Sequence, residues 1–335
     1  MKRIAVVILN WNGSEMLQHF LPSVIKHSQD MADVYVADNG STDDTVSMMF
    51  HRFPHVKLIA LDENFGFAEG YNRALKEVEN EFVVMLNSDV EVTSGWLQPM
   101  LEYMDAHPEV AGCQPKILNY YNRAYFEYSG AAGGYLDCWG FPFCRGRVLN
   151  RVEKDEGQYD TVAPVFWASG AAFFIRRQDY FAAGGLDGRF FAHMEEVDLC
   201  WRLRARGRDL VCIPQSVVYH VGGATLSKSN PRKTLLNFRN NLLMLYKNLP
   251  ARQLHAVLFM RFILDYVALC LFLVRGHWGD ACAVRRARRE YHFMKSSYRL
   301  VRRANLKLAK MDEIPERSRH SVFFYALFRR NKFRL

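Results

Sequence analysis

The stretch HMEEVDLCWR, residues 193–202, places three carboxylates, Glu195, Glu196 and Asp198, within four positions. A carboxylate beside a cleft can take a proton from a hydroxyl as a general base. The same acids could instead be the solvated first turn of a helix. If the helix begins near Glu196, Asp198 falls in its first turn, where the macrodipole favours an acid. It also lies four residues before Arg202, with which it can pair. Glu196 is then the acid free to face a cleft, and Glu195, just ahead of the helix, is the alternative. Arg202, Arg204 and Arg206 alternate with Leu199, Trp201 and Leu203; with Trp201 inward the arginines would lie near a phosphate or at the surface, which the sequence does not decide.

A second group of polar residues needs a scaffold to bring it together. IAVVILN (4–10), VYVAD (34–38), VKLIAL (56–61) and EFVVMLN (81–87) are apolar, β-branched runs, with helical patterns between them. Such runs predict a largely parallel sheet covered on both faces, with ligands outside the carboxyl ends of the strands. Asn10-Trp11-Asn12, Asp38-Asn39, Asn64-Phe65-Gly66 and Asn87-Ser88-Asp89 all fall at such ends. Each alone reads as turn chemistry; four together are a functional signal. An acid such as Asp89 can hold a divalent cation through oxygen, and the cation can hold a diphosphate.

From Val110 to Ala168 the pattern weakens. YSGAAGGYLDCWGFPFCRG reads as irregular loop, with the composition of a flap over a site. WASGAAFFIRR (167–177) reads as a strand, residues 177–183 as a helix, and DLVCIP and SVVYHVGG as two further strands, the body ending near Thr225. His220 in YHVGG is either structural or a metal ligand. Trp167 could stack on a sugar or pack in the core, with packing weighted higher. Ser169 and Gly170 permit close approach of a substrate.

Charge divides the chain. Residues 1–227 hold 20 Lys and Arg against 29 Asp and Glu, and residues 228–335 hold 24 against 6. The expected organisation is an acidic catalytic domain over 1–227 and a basic helical region over 228–335 that faces a polyanion. Three helices are expected there, over 232–249, 252–275 and 278–299. The middle one is nearly apolar, with Arg261 and Asp265 as interruptions costing a few kcal/mol at a bilayer centre, though four apart they could pair on one helix face. The reading is an interfacial or partly inserted helix on an anionic membrane surface, with RRARRE (285–290) and the closing FRRNKFRL beside the lipid. No nucleic-acid module appears. Half of the residues are hydrophobic, and the seven cysteines show no CxxC spacing, which fits free thiols in a reducing compartment. The N-terminal apolar run stops at Asn10 without a cleavage site and reads as a strand. The expected location is therefore cytoplasmic, peripheral on the inner face of the cell membrane.

In order, VVILNWNG, VADNGSTDDT, NFGFAEGYNRAL, MLNSDVEV and FFAHMEEVDLCWR, with a later HVGG, resemble the family 2 glycosyltransferases, nearest the rhamnosyl- and galactofuranosyl-transferase type. The resemblance covers about residues 3–225. It implies a GT-A fold: α/β, Rossmann-like, a mostly parallel sheet with helices on both faces, here followed by a helical, membrane-associating appendage. It implies that Asp38 contacts the nucleotide base, that Asn10, Trp11 and Asn12 line the same pocket, and that Asn64, Gly66 and Asn72 lie beside the nucleotide. Asn87, Ser88 and Asp89 match the family's DxD motif, which here reads N-S-D, so the metal set is Asp89 with His220, and the cofactor Mg2+ or Mn2+. Trp167, Ser169 and Gly170 match a segment near the acceptor and donor sugar. Glu196 matches the catalytic base, usually Asp, with Glu195 as fallback.

The implied reaction is inverting transfer of a sugar from dTDP-rhamnose or a UDP-sugar to a lipid-linked or polysaccharide acceptor in envelope synthesis. The competing classes are a catalytically impaired nucleotide-sugar-binding protein of the membrane surface, for which Asn87 is the support, and a sugar nucleotidyltransferase. The latter lacks an N-terminal glycine-rich phosphate loop. A dehydrogenase ranks lower still, because NFGFAEG does not fit GxGxxG.

Overall fold

A computed structural model describes residues 1–222 and 230–323. The expected end of the body near Thr225 and the closing FRRNKFRL lie outside the described residues.

The N-terminal half alternates as the apolar runs require: β1 (Ile4–Asn10), α1 (Ser14–Ser28), β2 (Ala32–Asn39), α2 (Thr45–Arg52), β3 (Lys57–Leu61), α3 (Gly66–Ala74) and β4 (Phe82–Asn87). These four strands run parallel in the order β4-β1-β2-β3. Residues of β1 and β4 are buried on both faces, so the strands carry no polar alternation. β5 (Val90–Val92), α4 (Gln98–Ala106) and β6 (Val110–Asn119) follow.

The second half of the sheet departs from the parallel expectation. β12 (Ala172–Arg176) inserts antiparallel between β4 and β6, and β13 (Asp209–His220) runs parallel to β6. β5 and the short β11 (Ala163–Pro164) pair antiparallel with β13, which closes the sheet as a mixed one. β6 was illegible because its sequence, VAGCQPKILN, mixes Gly, Gln, Pro and Lys into a buried strand. Buried Lys116 is tolerated there because its ammonium pairs with Asp155 at 2.8 Å and also with Asp160. β13 replaces the two expected strands; a register shift between Ile213 and Val217 is the break that the sequence suggested.

The glycine- and aromatic-rich stretch is not a loose flap. It forms a four-stranded antiparallel sheet from β7 (Gly134–Leu136), β8 (Pro142–Cys144), β9 (Arg147–Val148) and β10 (Arg151–Val152). Tyr135, Leu136, Phe143 and Cys144 are buried in the main core. Gly134 is required: a Cβ there would lie 2.0 Å from the Trp167 ring. After β12 come α5 (Arg177–Ala182) and the acid helix α6 (Glu195–Ala205). All seven cysteines are unpaired.

The C-terminal helices are α7 (Pro231–Asn248), α8 (Ala251–Val274), α9 (Trp278–Met294) and α10 (Arg299–Leu308). Leu242, Leu243, Met244, Leu245 and Leu249 belong to the same core cluster as Trp201 and Phe173, so hydrophobic packing runs through both halves of the chain. α8 is inverted. Its buried face is Leu254, Val257, Arg261 and Asp265, whereas Phe259, Phe262, Ile263, Val267, Leu271 and Val274 are exposed. The Arg261 guanidinium donates to Asp265 at 3.1 Å and to Asn241, and Arg288 donates to the other Asp265 oxygen at 2.7 Å. Arg261 and Asp265 therefore do not interrupt the outward apolar face, as the sequence suggested; they point into the protein. Removing the shared anion by Asp265→Ala leaves two buried guanidiniums uncompensated, at a cost of about 3–5 kcal/mol in denaturant unfolding.

Candidate active site

The register of β5 on β13 builds the first corner. Val90 pairs with His220, so the preceding Asp89 meets the imidazole, with Oδ1 3.1 Å from Nε2. The Asn87 amide lies 3.4 Å from the same nitrogen. Behind the ring, Glu127 sits 3.5 Å from Nδ1. Burial opposes charge on the imidazole, but Glu127 and Asp89 outweigh it and hold His220 up at about 10. Burial would likewise raise the Asp89 carboxyl; the His220 hydrogen bond and charge bring it below its ordinary value. Among the described residues, no group of three or more His, Cys, Asp or Glu gathers as a metal cluster. Once an incoming cation displaces the Nε2 proton, Asp89, the imidazole Nε2 and the Asn87 amide oxygen after a flip form a small O,N donor set. Such a set suits Mn2+ or Mg2+ when phosphate oxygens and water complete the shell. A carboxylate behind the histidine is the usual support of a metal-ligating imidazole.

The second corner lies at the ends of β1 and β2. Asp38 is buried, and its Oδ2 accepts from the Ser41 amide at 3.1 Å while Oδ1 has no partner. Asn10 gives its Nδ2 to Thr45 at 3.2 Å and leaves Oδ1 without a partner. Asn12, at a positive φ of 50°, ties the two loops: its Oδ1 accepts from the Thr42 amide at 2.7 Å. Trp11 is exposed beside them. Asn64 caps the next loop, accepting from the Gly66 amide at 2.8 Å and from Asn39 at 3.2 Å. Gly66 has a φ of 77°, and a Cβ would meet the Phe191 ring at 2.5 Å, so only glycine fits.

The third corner is the acid loop. Phe191, His193 and Met194 all have positive φ, of 66°, 70° and 73°. Non-glycine residues hold such angles only when their surroundings over-determine them. Here Asn240 of α7 shares its amide hydrogens among the carbonyls of Phe190, Ala192 and His193, at 2.8–3.0 Å. The Phe191 carbonyl also accepts from the Phe67 amide at 2.7 Å, which docks this loop on the Asn64–Gly66 turn. α6 then starts at Glu195. Asp198 is fully buried and saturated by Arg202 at 3.0 Å, Lys247 at 2.8 Å and Asn248 at 2.8 Å, the helix acid that its spacing implied. Glu195 is buried, while Glu196 is part-exposed, and one oxygen of each lacks a partner. Burial raises the Glu196 carboxyl to about 7. Burial, then the neighbouring Glu196 charge, raises Glu195 well above its ordinary value.

A family model described as "Glycosyl transferase family 2" matches residues 5–179, more than half of the chain. The chain belongs to that family. Among curated proteins, an N-acetylglucosaminyl-diphospho-decaprenol L-rhamnosyltransferase of Mycobacterium tuberculosis is 28% identical over 232 residues, covering 65% of this chain and 75% of that protein. Rhamnosyltransferase WbbL of Escherichia coli is 23% identical over 163 residues, covering 47% and 61%. Among solved structures, GalNAc-T7 with UDP, GalNAc and Mn2+ aligns with a TM-score of 0.57 at 17% identity, over 74% of this chain and 48% of that one. Mannosyltransferase PcManGT from Pyrobaculum calidifontis, in complex with GDP-Man and Mn2+, gives 0.51 at 15% identity, over 91% and 87%. These likenesses establish the GT-A fold.

Within this family 2 glycosyltransferase, one expectation needs correction and two readings that the sequence left open are decided. Asn72 is fully committed elsewhere: it donates to Leu186 O at 2.8 Å and accepts from Tyr180 at 2.7 Å, so it fastens the Leu186 turn instead of facing a nucleotide. Trp167 is 3% exposed, and its indole donates to Tyr135 O at 3.0 Å, leaving no face for a sugar. Arg202 pairs with Asp198, as their four-residue spacing allowed, and Arg204 with Glu316; both are buried, away from the surface. Ser169 is buried, giving its hydroxyl to Ser129 O at 2.8 Å, and Gly170 faces the Phe67 ring. Glu127, Asn240, Lys247 and Asn248 gave no signal in the sequence, because each gains its meaning from a contact far along the chain. Asn240→Ala frees three loop carbonyls and is expected to cost about 1–3 kcal/mol, with faster amide hydrogen exchange confined to the loop before α6.

Proposed function

We propose that the chain is an inverting glycosyltransferase that moves a sugar, with rhamnose first, from a nucleoside-diphosphate donor to a hydroxyl of a lipid-linked glycan in envelope polysaccharide synthesis. One observation carries the reading. Among the described residues, the buried carboxylate oxygens without a partner belong to Asp38, Glu195 and Glu196 alone. An unpaired buried acceptor is costly, so these oxygens await a ligand or a proton. The name of the mycobacterial relative supports rhamnose as the sugar and a diphospho-lipid as the carrier of the acceptor.

Asp38 accepts from an N–H of the donor base, with Asn10, Trp11 and Asn12 closing that side of the pocket and Asn64 and Gly66 the other. Asn87, Ser88 and Asp89 face the diphosphate. A divalent ion on Asp89 and His220, Mg2+ or Mn2+, would supply charge neutralisation for the leaving nucleoside diphosphate. Glu127 holds the imidazole in place. Glu196 removes the proton of the acceptor hydroxyl as that oxygen attacks the anomeric carbon from the face opposite the diphosphate. Glu195, more deeply buried, stays protonated and spares Glu196 a second adjacent charge. Residues 1–227 provide donor binding and chemistry. Residues 228–335 brace the acid loop and seat the enzyme on the cytoplasmic face of a membrane, with the outward face of α8 in the lipid interface and the surplus cations on anionic headgroups.

Glu196→Gln is expected to lower transfer by on the order of 10²–10⁴-fold with nucleoside diphosphate binding retained; binding without turnover of any donor in the wild type would instead favour the impaired reading. The base acts deprotonated, so activity falls about tenfold per pH unit below a midpoint near 7 and is flat above it. Glu127→Gln is expected to weaken activation by Mn2+ by about 10–100-fold, read from a metal titration of donor hydrolysis. For the membrane face, the full chain carrying Phe262→Ser, Val267→Ser and Leu271→Ser should lose sedimentation with anionic vesicles while keeping its unfolding midpoint. Unchanged sedimentation would remove α8 from that role.

A further inference from the structure

A cavity of about 630 Å³ lies between the N-terminal half of α7 and α9, outside the donor corner. Its wall carries four guanidiniums, of Arg189, Arg232, Arg239 and Arg286, against one carboxylate, Glu290. Glu290 pairs with Arg239 at 3.1 Å and Arg286 at 2.7 Å, and Arg189 is held by Asp187 at 3.2 Å. Arg232 has no carboxylate partner among the described residues; it lies 4.8 Å over the Phe191 ring. The remaining lining is apolar, with Phe191, Leu235, Leu236 and Ala283 packed as a small cluster of their own.

Two connections give this cavity its direction. Phe191 is a wall shared with the chemistry: its ring touches Gly66, its carbonyl holds the Phe67 amide, and Glu196 follows five residues later. Gly279, on the opposite wall, adjoins Trp278, and Val274 closes α8 just before; both are exposed. The cavity thus meets the acid loop through Phe191 and reaches, at Gly279, the chain neighbour of exposed Trp278. A cationic rim in surplus over an apolar floor recognises a phosphate ester of a hydrocarbon chain. Guanidiniums suit this task because their planar forks bind phosphate oxygens in pairs.

We propose that this arginine-lined cavity is the acceptor subsite, binding the diphosphate and first isoprenoid units of a polyprenyl-diphosphate-linked glycan, so that the attached sugar crosses Phe191 to meet Glu196. The proposal rests on the transferase reading above for its acceptor class, but its test does not use turnover.

The test measures binding of farnesyl diphosphate to the full chain by calorimetry, with dTDP or UDP saturating so that the donor corner is filled. Farnesol, inorganic diphosphate and phosphatidylglycerol vesicles are the comparison ligands. Farnesyl diphosphate is expected to bind, and each of Arg232→Gln and Arg286→Gln to weaken it about tenfold. Exposed Arg303→Gln should leave it unchanged, and all three variants should keep nucleoside diphosphate affinity. Absence of binding, binding indifferent to both substitutions, or equal competition by phosphatidylglycerol overturns the subsite. Arginine-dependent binding in a protein that turns over no nucleotide sugar would sink the transferase reading and leave the subsite standing.

Discussion

A single buried anion fixes the acid helix α6 and ties it to the C-terminal helices. Asp198 has no solvent exposure and is met by Arg202 of its own helix and by Lys247 and Asn248 of α7. A carboxylate at that depth persists only when every lone pair is matched. Matching it requires α7, so α6 cannot take its place until the chain has returned more than forty residues later. With Asp198 satisfied, the acid helix is fixed about its own axis, and one carboxylate oxygen each of Glu195 and Glu196 is left without a partner. Within one cluster, a saturated acid therefore stands beside two neighbours that each keep an unpartnered oxygen.

The same helix supports the strained loop. Three positive-φ residues within four positions, Phe191, His193 and Met194, would relax in isolation. Asn240 of α7 gathers the carbonyls of Phe190, Ala192 and His193, and Phe191 leans on Gly66 and Phe67. The Asn64–Phe67 turn, the acid loop and α7 are thereby one packed unit. A region that composition marks as an appendage is, in packing terms, part of the site wall.

α8 shows how charge can be hidden by inversion. A helix that keeps Arg261 and Asp265 on its protein side, and Phe259, Phe262, Val267 and Leu271 outside, reverses the arrangement of a water-soluble helix. The inward ion pair is extended by Arg288 and Asn241, so the polar groups are satisfied without water. The outward face is then free of the charges that hydropathy along the sequence appeared to place there. A linear count of interruptions carries no information about which way they point.

Much of the site was legible along the chain. The parallel half, with its strand-end residues Asn10, Asp38, Asn64 and Asp89, follows from runs of β-branched residues that close on polar tips. The pairing of Asp198 with Arg202 follows from helical spacing alone. These are local rules of period and reach, which a sequence carries directly. The buried β6, the small sheet around Tyr135, the withdrawal of Asn72 and Trp167 into packing, and the roles of Glu127 and Asn240 were decided only in three dimensions. Each depends on a partner distant in sequence, and whether a polar group serves the fold or a ligand depends on whether such a partner reaches it. The residue types determined which groups could do chemistry; the tertiary contacts decided which of them were left free to do it.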